Sequence, residues 1–409
     1  MEHRRRALSV RPDGGSGTDK KSPTLLFLIE SAEQFDHFFR WVPAARRAGY
    51  RVVFITARWS DAVQARRYGI ECRLVGYSGP ARTETDLSGV GELYDGTFTA
   101  TQAQRYAEAF VTDAEQVMQR ASSGLALMWG GGDTVASRAV RAAAQRCGWR
   151  VLFIDRGNLP GTLIADPMGM NFDSYLFHHA SLLDRESDLS SISRMRTELT
   201  HRRNDTNRHS TKRRNWLIGA DWCVSMLRGM PFRGRIIPSR RRNTLEGRIA
   251  ETILSDSRIV LMPVNHSFEV QKVQGGFGFL REQMAEAQRA AAKRSLPVVV
   301  TLHPLEHNEE LFQTLAELRE EYRFTIHPGP SSALLMQTDT VVASNTSVAL
   351  EALVLGIPVV HVGRTMFRGL DERRLSAYLT HYLLPIEPSG ETPVTDDQFA
   401  RIMERGDWQ

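Results

Sequence analysis

Short, continuous apolar runs separated by helical patterns constrain the fold of this 409-residue chain more than any other feature. Residues 24–29 form the first run, residues 33–48 place apolar side chains at helical spacing up to Gly49, and residues 51–56 form the next run. Uninterrupted apolar strands are typical of parallel sheets that are covered on both faces, and strand–helix–strand units build such sheets. The sequence therefore predicts an α/β protein.

The same pattern recurs further along the chain, which predicts a second domain of the same kind. Continuous apolar runs follow at 125–129, 151–154, 259–264, 297–302, 340–343 and 358–362. Two doubly wound Rossmann-like domains that face each other leave a central crevice at the carboxyl ends of their strands, where this architecture binds ligands. We therefore expect the functional residues directly after strands.

Changes in composition divide the chain into four parts. Residues 1–22 are rich in Gly, Ser, Arg and Lys, which predicts a disordered basic arm. An N-terminal Rossmann-like domain is predicted over 23–185 and a basic helical linker over 186–245, where the strand pattern stops. A C-terminal Rossmann-like domain is predicted over 246–409.

Positive charge is concentrated in one segment. The net charge is +5, whereas residues 194–242 alone hold fourteen Lys and Arg against three Asp and Glu. Such a segment can contact an anionic membrane surface, at about 1 kcal/mol per basic residue, or it can be a solvated face between domains. Nucleic acid is not expected as a partner, because the sequence contains no recognisable nucleic-acid-binding module.

No apolar run approaches the length of about 20 residues that a membrane-spanning helix needs. The sequence therefore predicts a cytoplasmic protein, with peripheral attachment to the inner face of the cytoplasmic membrane as the alternative that the basic segment raises. The three cysteines are widely spaced and fit neither a disulfide framework nor a metal site.

A phosphate site is predicted where a strand of the second domain ends. Ser344, Asn345, Thr346 and Ser347 follow the run 340–343 and open a helix. Amide N–H groups at a helix start bind anions, although Ser and Thr at such positions also serve as ordinary helix caps. His303-Pro304 ends the strand 297–302 on the same sheet edge, so His303 can donate a hydrogen bond to a nucleotide.

Two segments of the first domain are candidates for chemistry. Gly131, Gly132 and Asp133 follow a strand, and glycines let the backbone approach a ligand closely. Their spacing is not that of a dinucleotide fingerprint, so NAD and FAD are not supported. Asp155 and Asp166 are carboxylates at the predicted crevice, suited to a base or nucleophile function, or else to capping or opening a turn.

An ordered set of motifs resembles the capsule polysaccharide biosynthesis glycosyltransferases, the bacterial retaining β-Kdo transferases that use CMP-Kdo. The similarity extends over roughly residues 125–370. Two positions depart from the pattern: Arg156 stands where related sequences often carry a second acid, and Leu302 where a basic residue is common. The motifs are Asp155-x-Gly157, Gly169-Met170-Asn171, Met262-Pro263-Val264-Asn265, His303-Pro304, and Ser344-Asn345-Thr346-Ser347 followed by Gly356-Ile357-Pro358-Val359.

This resemblance implies a GT-B fold that transfers Kdo from CMP-Kdo to a lipid or glycan acceptor. Retention implies a double displacement, with Asp155 as the nucleophile and Asp166 as the second catalytic carboxylate. A nucleotide-sugar co-substrate is implied, with no cofactor and no metal. The implied donor site holds Asn265, His303, Pro304, Ser344, Asn345, Thr346, Ser347 and Glu351. The implied acceptor and sugar site holds Gly131, Gly132, Asp133, Arg156, Gly157 and Asn171, with Arg156 suited to grip a carboxylate.

Two other functions agree with the same architecture. One is a GT-B transferase or epimerase that uses a UDP-sugar or GDP-sugar, because the phosphate site is shared. The other is a catalytically silent homologue that binds a nucleotide sugar or a glycan. Fold alone does not distinguish these three functions.

Overall fold

The structure is a computed structural model that describes residues 22–77, 85–202, 217–232, 258–303, 306 and 308–408. Several predictions concern residues outside these ranges. They are nearly all of the basic arm 1–22, Pro304 at the nucleotide site, and much of the basic linker 186–245.

In the described residues, the first sheet has six strands in the order β3-β2-β1-β4-β5-β6. Strands β1 to β5 are parallel, whereas β6 runs antiparallel to β5. Residues 157–162 are too few for the crossover that a parallel pair requires, so they reverse the chain instead. The strands are Thr24–Ile29 (β1), Arg51–Thr56 (β2), Glu71–Leu74 (β3), Gly124–Trp129 (β4), Arg150–Arg156 (β5) and Leu163–Asp166 (β6).

Helices cover both faces of this sheet. The single helix predicted over 33–48 is two helices, and Pro43, which has no N–H to donate, lies in the first turn of the second. Among the described residues of the predicted linker, two segments are helical, α8 and α9. The helices are Ala32–Phe39 (α1), Val42–Arg47 (α2), Trp59–Arg67 (α3), Gly91–Tyr94 (α4), Ala100–Met118 (α5), Val135–Arg146 (α6), Tyr175–His178 (α7), Ser190–Arg202 (α8) and Leu217–Leu227 (α9).

The second sheet has five described strands, all parallel, in the order β11-β10-β7-β8-β9. Four of them match predicted strands, and β9 is a three-residue strand that the sequence pattern missed. The strands are Ile259–Pro263 (β7), Val298–Thr301 (β8), Thr325–His327 (β9), Thr338–Ala343 (β10) and Val359–His361 (β11). The helices are Ser267–Gln274 (α10), Gly278–Ala292 (α11), Glu309–Glu321 (α12), Ser331–Leu334 (α13), Ser347–Leu355 (α14), Glu372–Ala377 (α15) and Asp396–Arg405 (α16).

Both sheets wind outward from a central pair of strands. The strand order reverses between β1 and β4 in the first sheet and between β7 and β10 in the second. These are topological switch points, where loops leave in opposite directions and open a crevice at the carboxyl ends of the strands. The prediction of two doubly wound α/β domains in a GT-B-like arrangement is confirmed.

The central strand β1 shows why the apolar runs are continuous. Leu25 and Phe27 belong to the core on one face of the first sheet, whereas Leu26 and Leu28 belong to the core on the other, and all four are fully buried. Burial of each such side chain stabilises the fold by roughly 1.5–3 kcal/mol. Among the described residues, no helix has both the length and the apolar character needed to cross a bilayer.

The end of the chain returns to the first domain. Val394, Phe399 and Ile402 are buried in the same core as Leu25, and Leu384 pairs with Leu163 of β6. The assignment of residues 246–409 to the second domain stays a prediction. The last segment of the chain, which carries the residues named above, contacts the first sheet. The returning chain therefore completes one face of the first domain.

Substitution of Gly157 tests how closely the backbone approaches Thr162 in the reversal between β5 and β6. A Cβ atom at this position would overlap the Thr162 side chain and backbone, so we expect Gly157→Ala to lower the free energy of unfolding by about 1–3 kcal/mol. Gly219, inside α9, has open space around it, and Gly219→Ala should raise the free energy of unfolding by about 0.5–1 kcal/mol. Urea unfolding of both variants measures the difference; equal effects would contradict the close approach.

Candidate active site

A closed polar network occupies the switch point of the second sheet. Asn265 follows β7, and its amide nitrogen donates to the Asn345 carbonyl at 3.0 Å and to Glu269 Oε2 at 2.9 Å. Its amide oxygen accepts a hydrogen bond from the Ser344 hydroxyl at 3.0 Å. The predicted residues Asn265, Ser344 and Asn345 therefore come together, and they hold the loops after β7 and β10 against each other.

The start of α14 is a capped helix end whose first turn remains open to solvent. Thr346 is the N-cap, and its hydroxyl accepts a hydrogen bond from the Ala349 N–H at 3.1 Å. Ser347 is exposed in the first turn, where helical N–H groups have no partner within the helix, and Glu351 lies one turn further on. An anion at this helix start would meet Ser347 and the first backbone amides.

One hydrogen bond joins this network to the first domain. The Asn345 amide nitrogen donates to Asn171 Oδ1 at 2.8 Å, while Asn345 Oδ1 accepts from the Met366 N–H at 3.2 Å. Asn171 has a φ of 55°, in the left-handed region that asparagine tolerates better than most residues. Residues predicted separately for donor and acceptor binding thus lie in direct contact.

A salt bridge also connects the two domains. Lys272 of α10 pairs with Asp133, which follows β4, and its ammonium lies 3.8 Å from an oxygen of Asp173. Asp133 ends the glycine-rich turn, in which Gly132 has a φ of 81° and approaches the Phe153 ring of its own domain. The Gly132 backbone therefore serves internal packing, and the turn presents Asp133 to the crevice.

Asp155 lies at the carboxyl end of β5, and the pKa of its carboxyl group is shifted from the usual aspartate value. Burial, together with the negative charges of Asp133 and Glu269, raises the pKa of its carboxyl group to about 6. Arg156 opposes these effects, because its backbone N–H donates to Asp155 Oδ1 at 2.7 Å and its guanidinium is positive. Carboxylates from both domains therefore share one electrostatic environment, in which Asp155 is ionised at neutral pH.

Asp166 is held very differently. The residue is fully buried, and its carboxylate accepts hydrogen bonds from the N–H groups of Met168, Gly169 and Tyr175 and from the Tyr382 hydroxyl, over 2.8–3.3 Å. Burial raises the pKa of Asp166 in spite of these donors. Such saturation is what a carboxylate that organises a turn requires.

Three further predicted residues also have structural partners. Arg156 forms an exposed ion pair with Glu33 in the first turn of α1, so its guanidinium is engaged on the crevice side of the first domain. The Gly157 N–H donates to the Thr162 carbonyl at 2.8 Å, within the reversal that leads to β6. Gly131 packs against Met170 in the neighbouring loop.

His303 lies two residues after β8 and is exposed. Its ring lies edge-on to that of His266, with 5.3 Å between the ring centroids. Desolvation and the neighbouring His266 lower the pKa of His303, while Glu306 opposes them. The imidazole is therefore neutral at neutral pH and offers one donor and one acceptor nitrogen.

Three residues of this region were missed from the sequence: His266, Glu269 and Lys272. All three belong to the loop after β7 and to α10, at the carboxyl end of the central strand of the second sheet. Burial raises the pKa of Glu269, and the Asn265 hydrogen bond opposes that change. The placement of β7 beside β10 would have indicated these three residues. That placement depends on the strand order of the sheet, which the local sequence does not reveal.

Within the described ranges, no group of three or more His, Cys, Asp or Glu side chains is arranged to hold a metal ion.

Comparisons with known proteins add structural similarities. No protein-family model matches the chain, and no curated protein gives a significant match. A β-Kdo 2,7 transferase, KpsC of Thermosulfurimonas dismutans, is similar over 93% of this chain and 99% of that one, at 12% identity and a TM-score of 0.42. Its β-Kdo 2,4 transferase counterpart is similar over 68% and 87%, at 16% identity and a TM-score of 0.36.

The UDP-GlcNAc 2-epimerase of Methanocaldococcus jannaschii is similar over 93% of this chain and 92% of that one, at 9% identity and a TM-score of 0.31. Similarities of this size leave activity and substrate open. The GT-B-like description rests on the two sheets and their strand orders.

Replacing Asp155 and Asp166 by asparagine should change stability in opposite directions. Because the folded pKa of Asp155 is raised, stability is lost as pH rises from the ordinary aspartate range through about 6. Asp155→Asn should therefore raise the free energy of unfolding above pH 7, by at most about 3 kcal/mol, and change it little near pH 4. Asp166→Asn should lower it by about 2–4 kcal/mol, because an amide cannot accept from all four donors.

Denaturant unfolding of both variants at the two pH values provides the measurement. A destabilised Asp155→Asn protein above pH 7 would mean that the Asp155 carboxylate is compensated by a partner, as the Asp166 carboxylate is.

Proposed function

We propose that this chain is a glycosyltransferase that transfers Kdo from CMP-Kdo, with retention, to a lipid or glycan acceptor. The observation that carries the proposal is the position of Asp155, an ionisable carboxylate at the crevice whose pKa is raised to about 6. Glu269 of the second domain interacts with it electrostatically, and the ordered motifs between 155 and 359 favour CMP-Kdo as the donor.

The proposed donor site uses the second domain. The phosphate lies at the start of α14, near Ser347 and the first backbone amides, which stabilise the charge of the departing nucleotide. Neutral His303 hydrogen-bonds the nucleoside. Asn265, Ser344 and Asn345 position these loops through the bonds that they make with one another. No cofactor is required for this chemistry.

The proposed chemistry is a double displacement. An Asp155 oxygen bonds to the anomeric carbon while the bond from that carbon to the phosphate oxygen breaks, and CMP leaves with the electron pair. An acceptor hydroxyl then attacks the same carbon, its proton passes to Glu269, and the Asp155 carboxylate is released. Two inversions give retention. Asp166 is assigned to turn structure in this scheme.

An epimerase or transferase that uses a UDP-sugar or GDP-sugar is the second candidate. The observation that favours it is the set of three carboxylates, Asp133, Asp155 and Glu269, that interact across the crevice. Paired acids and bases of this kind also suit proton removal and return at a sugar carbon. The base of the bound nucleotide discriminates between the candidates.

Thermal unfolding with CMP, UDP or GDP tests the donor. A ligand at about 100 times its Kd stabilises the folded state by about 2.7 kcal/mol, and we expect this effect for CMP alone. His303→Ala should abolish it, whereas the control His201→Ala, an exposed position on α8, should not. Preference for UDP or GDP would favour the second candidate. No response to any of the three would favour a silent homologue.

Turnover of CMP-Kdo tests the nucleophile. Because Asp155 must be ionised, kcat/KM of the natural enzyme should rise with pH through about 6. Asp155→Asn should reduce CMP release by at least about a thousandfold, while Asp173→Asn, an exposed carboxylate near the same crevice, should retain most activity. Full activity in Asp155→Asn would eliminate the covalent mechanism.

A further inference from the structure

Large exposed apolar side chains are concentrated on two packed helices of the first domain. Of seven such side chains in the described part of the chain, five lie on α3 and α9, and we call these five the docking face. They are Trp59, Val63, Trp222, Met226 and Leu227. Leu227 is 87% exposed and Met226 is 62% exposed, so apolar surface of unusual size faces outward here.

Helical spacing places these side chains in one stripe on each helix. Trp59 and Val63 are four residues apart on α3, and Trp222 and Met226 are four residues apart on α9. The helices pack together, and the Ser60 backbone N–H and hydroxyl both donate to the Asp221 carboxylate at 2.8 Å. The docking face is therefore part of a fixed surface of the domain.

On these two helices, acidic side chains are buried and basic side chains are exposed. The acidic residues Asp61 and Asp221 are buried and directed at Arg58, at 3.0 and 3.4 Å. The exposed charges of α3 that continue the Trp59 and Val63 stripe are Arg66 and Arg67. The outer side thus combines apolar and basic groups, which is the composition of interfacial helices that bind anionic membranes.

A basic cleft adjoins the docking face. It has a volume of about 590 Å³, and Leu227 forms part of its lining together with Arg73, Arg105 and Arg228. Asp113 neutralises Arg73, whereas the Arg105 guanidinium lies over the Tyr77 ring at 4.1 Å. The cleft therefore carries net positive charge beside exposed apolar side chains, which matches a lipid headgroup phosphate beside its acyl chains.

The inner side of α9 faces a second cavity. Ile218, Asp221 and Ser225 line a space of about 310 Å³ together with Glu30 and Ser31, which follow β1 at the crevice edge of the first sheet. One helix therefore separates the docking face from a cavity at the carboxyl ends of the strands.

We infer that the docking face binds the surface of an anionic phospholipid membrane, with the basic cleft receiving headgroup phosphates. This surface is defined by α3 and α9, and it does not depend on the donor or on the chemistry at Asp155. It places the carboxyl edge of the first sheet beside the membrane, where a lipid-linked molecule is within reach.

Vesicle flotation of the full chain tests this inference. We expect binding to phosphatidylcholine vesicles that contain phosphatidylglycerol, weaker binding to phosphatidylcholine alone, and a decrease with added salt. The double variants Met226→Ser with Leu227→Ser, and Arg66→Glu with Arg67→Glu, should each reduce binding at least about tenfold. All four side chains are exposed, so the fold should be unchanged, and stabilisation by nucleotide should persist.

Matched controls use exposed residues elsewhere on the molecule. Leu189→Ser with Met336→Ser removes exposed apolar side chains, and Lys293→Glu with Arg401→Glu reverses exposed charges. Both should bind vesicles as the natural chain does. Equal binding by the docking-face variants would overturn the inference. So would an oligomer, formed without vesicles, that the Met226→Ser with Leu227→Ser variant dissociates, because a second copy would then be the occupant.

Discussion

The hydrogen bond from Asn345 to Asn171 joins the two sides of the crevice directly. Asn345 belongs to the loop after β10, and Asn171 belongs to the loop that Asp166 organises in the first domain. Each asparagine is tied to its own domain by a further hydrogen bond, so this bond joins the loop after β10 to the loop after β6. The Lys272–Asp133 pair joins the same two domains through charge.

Asp155 and Asp166 are the same residue type, but their carboxylates have different hydrogen-bond environments. Burial raises the pKa of both carboxyl groups, yet Asp166 accepts hydrogen bonds from four different residues whereas Asp155 accepts one from its neighbour Arg156. A carboxylate surrounded by donors is stabilised in place and has no lone pair directed at a ligand. A carboxylate with few donors beside other acids keeps its reactivity, at a cost in stability.

Much of the fold could be predicted because most of its strands are buried on both faces and are therefore continuous apolar runs. The strand β3, with the sequence ECRL and exposed or half-buried residues, has no such run and was not predicted. The reversal at β6 and the brief strand β9 could not be predicted either, since the first depends on a short turn and the second on three residues. Of the site, the loops after β8 and β10 were predicted from local patterns. Glu269 and Lys272 were missed, because their importance follows from the placement of β7 beside β10 and from the approach of the first domain.

The path of the chain end has a consequence for the order of folding. Val394, Phe399 and Ile402 complete a core that also contains Leu25 of the first strand. During synthesis, the part of this face that these three side chains cover stays exposed until every strand of the second sheet has been made. The first domain is therefore completed only after the second sheet has been synthesised, and the apolar surface that it exposes until then favours aggregation.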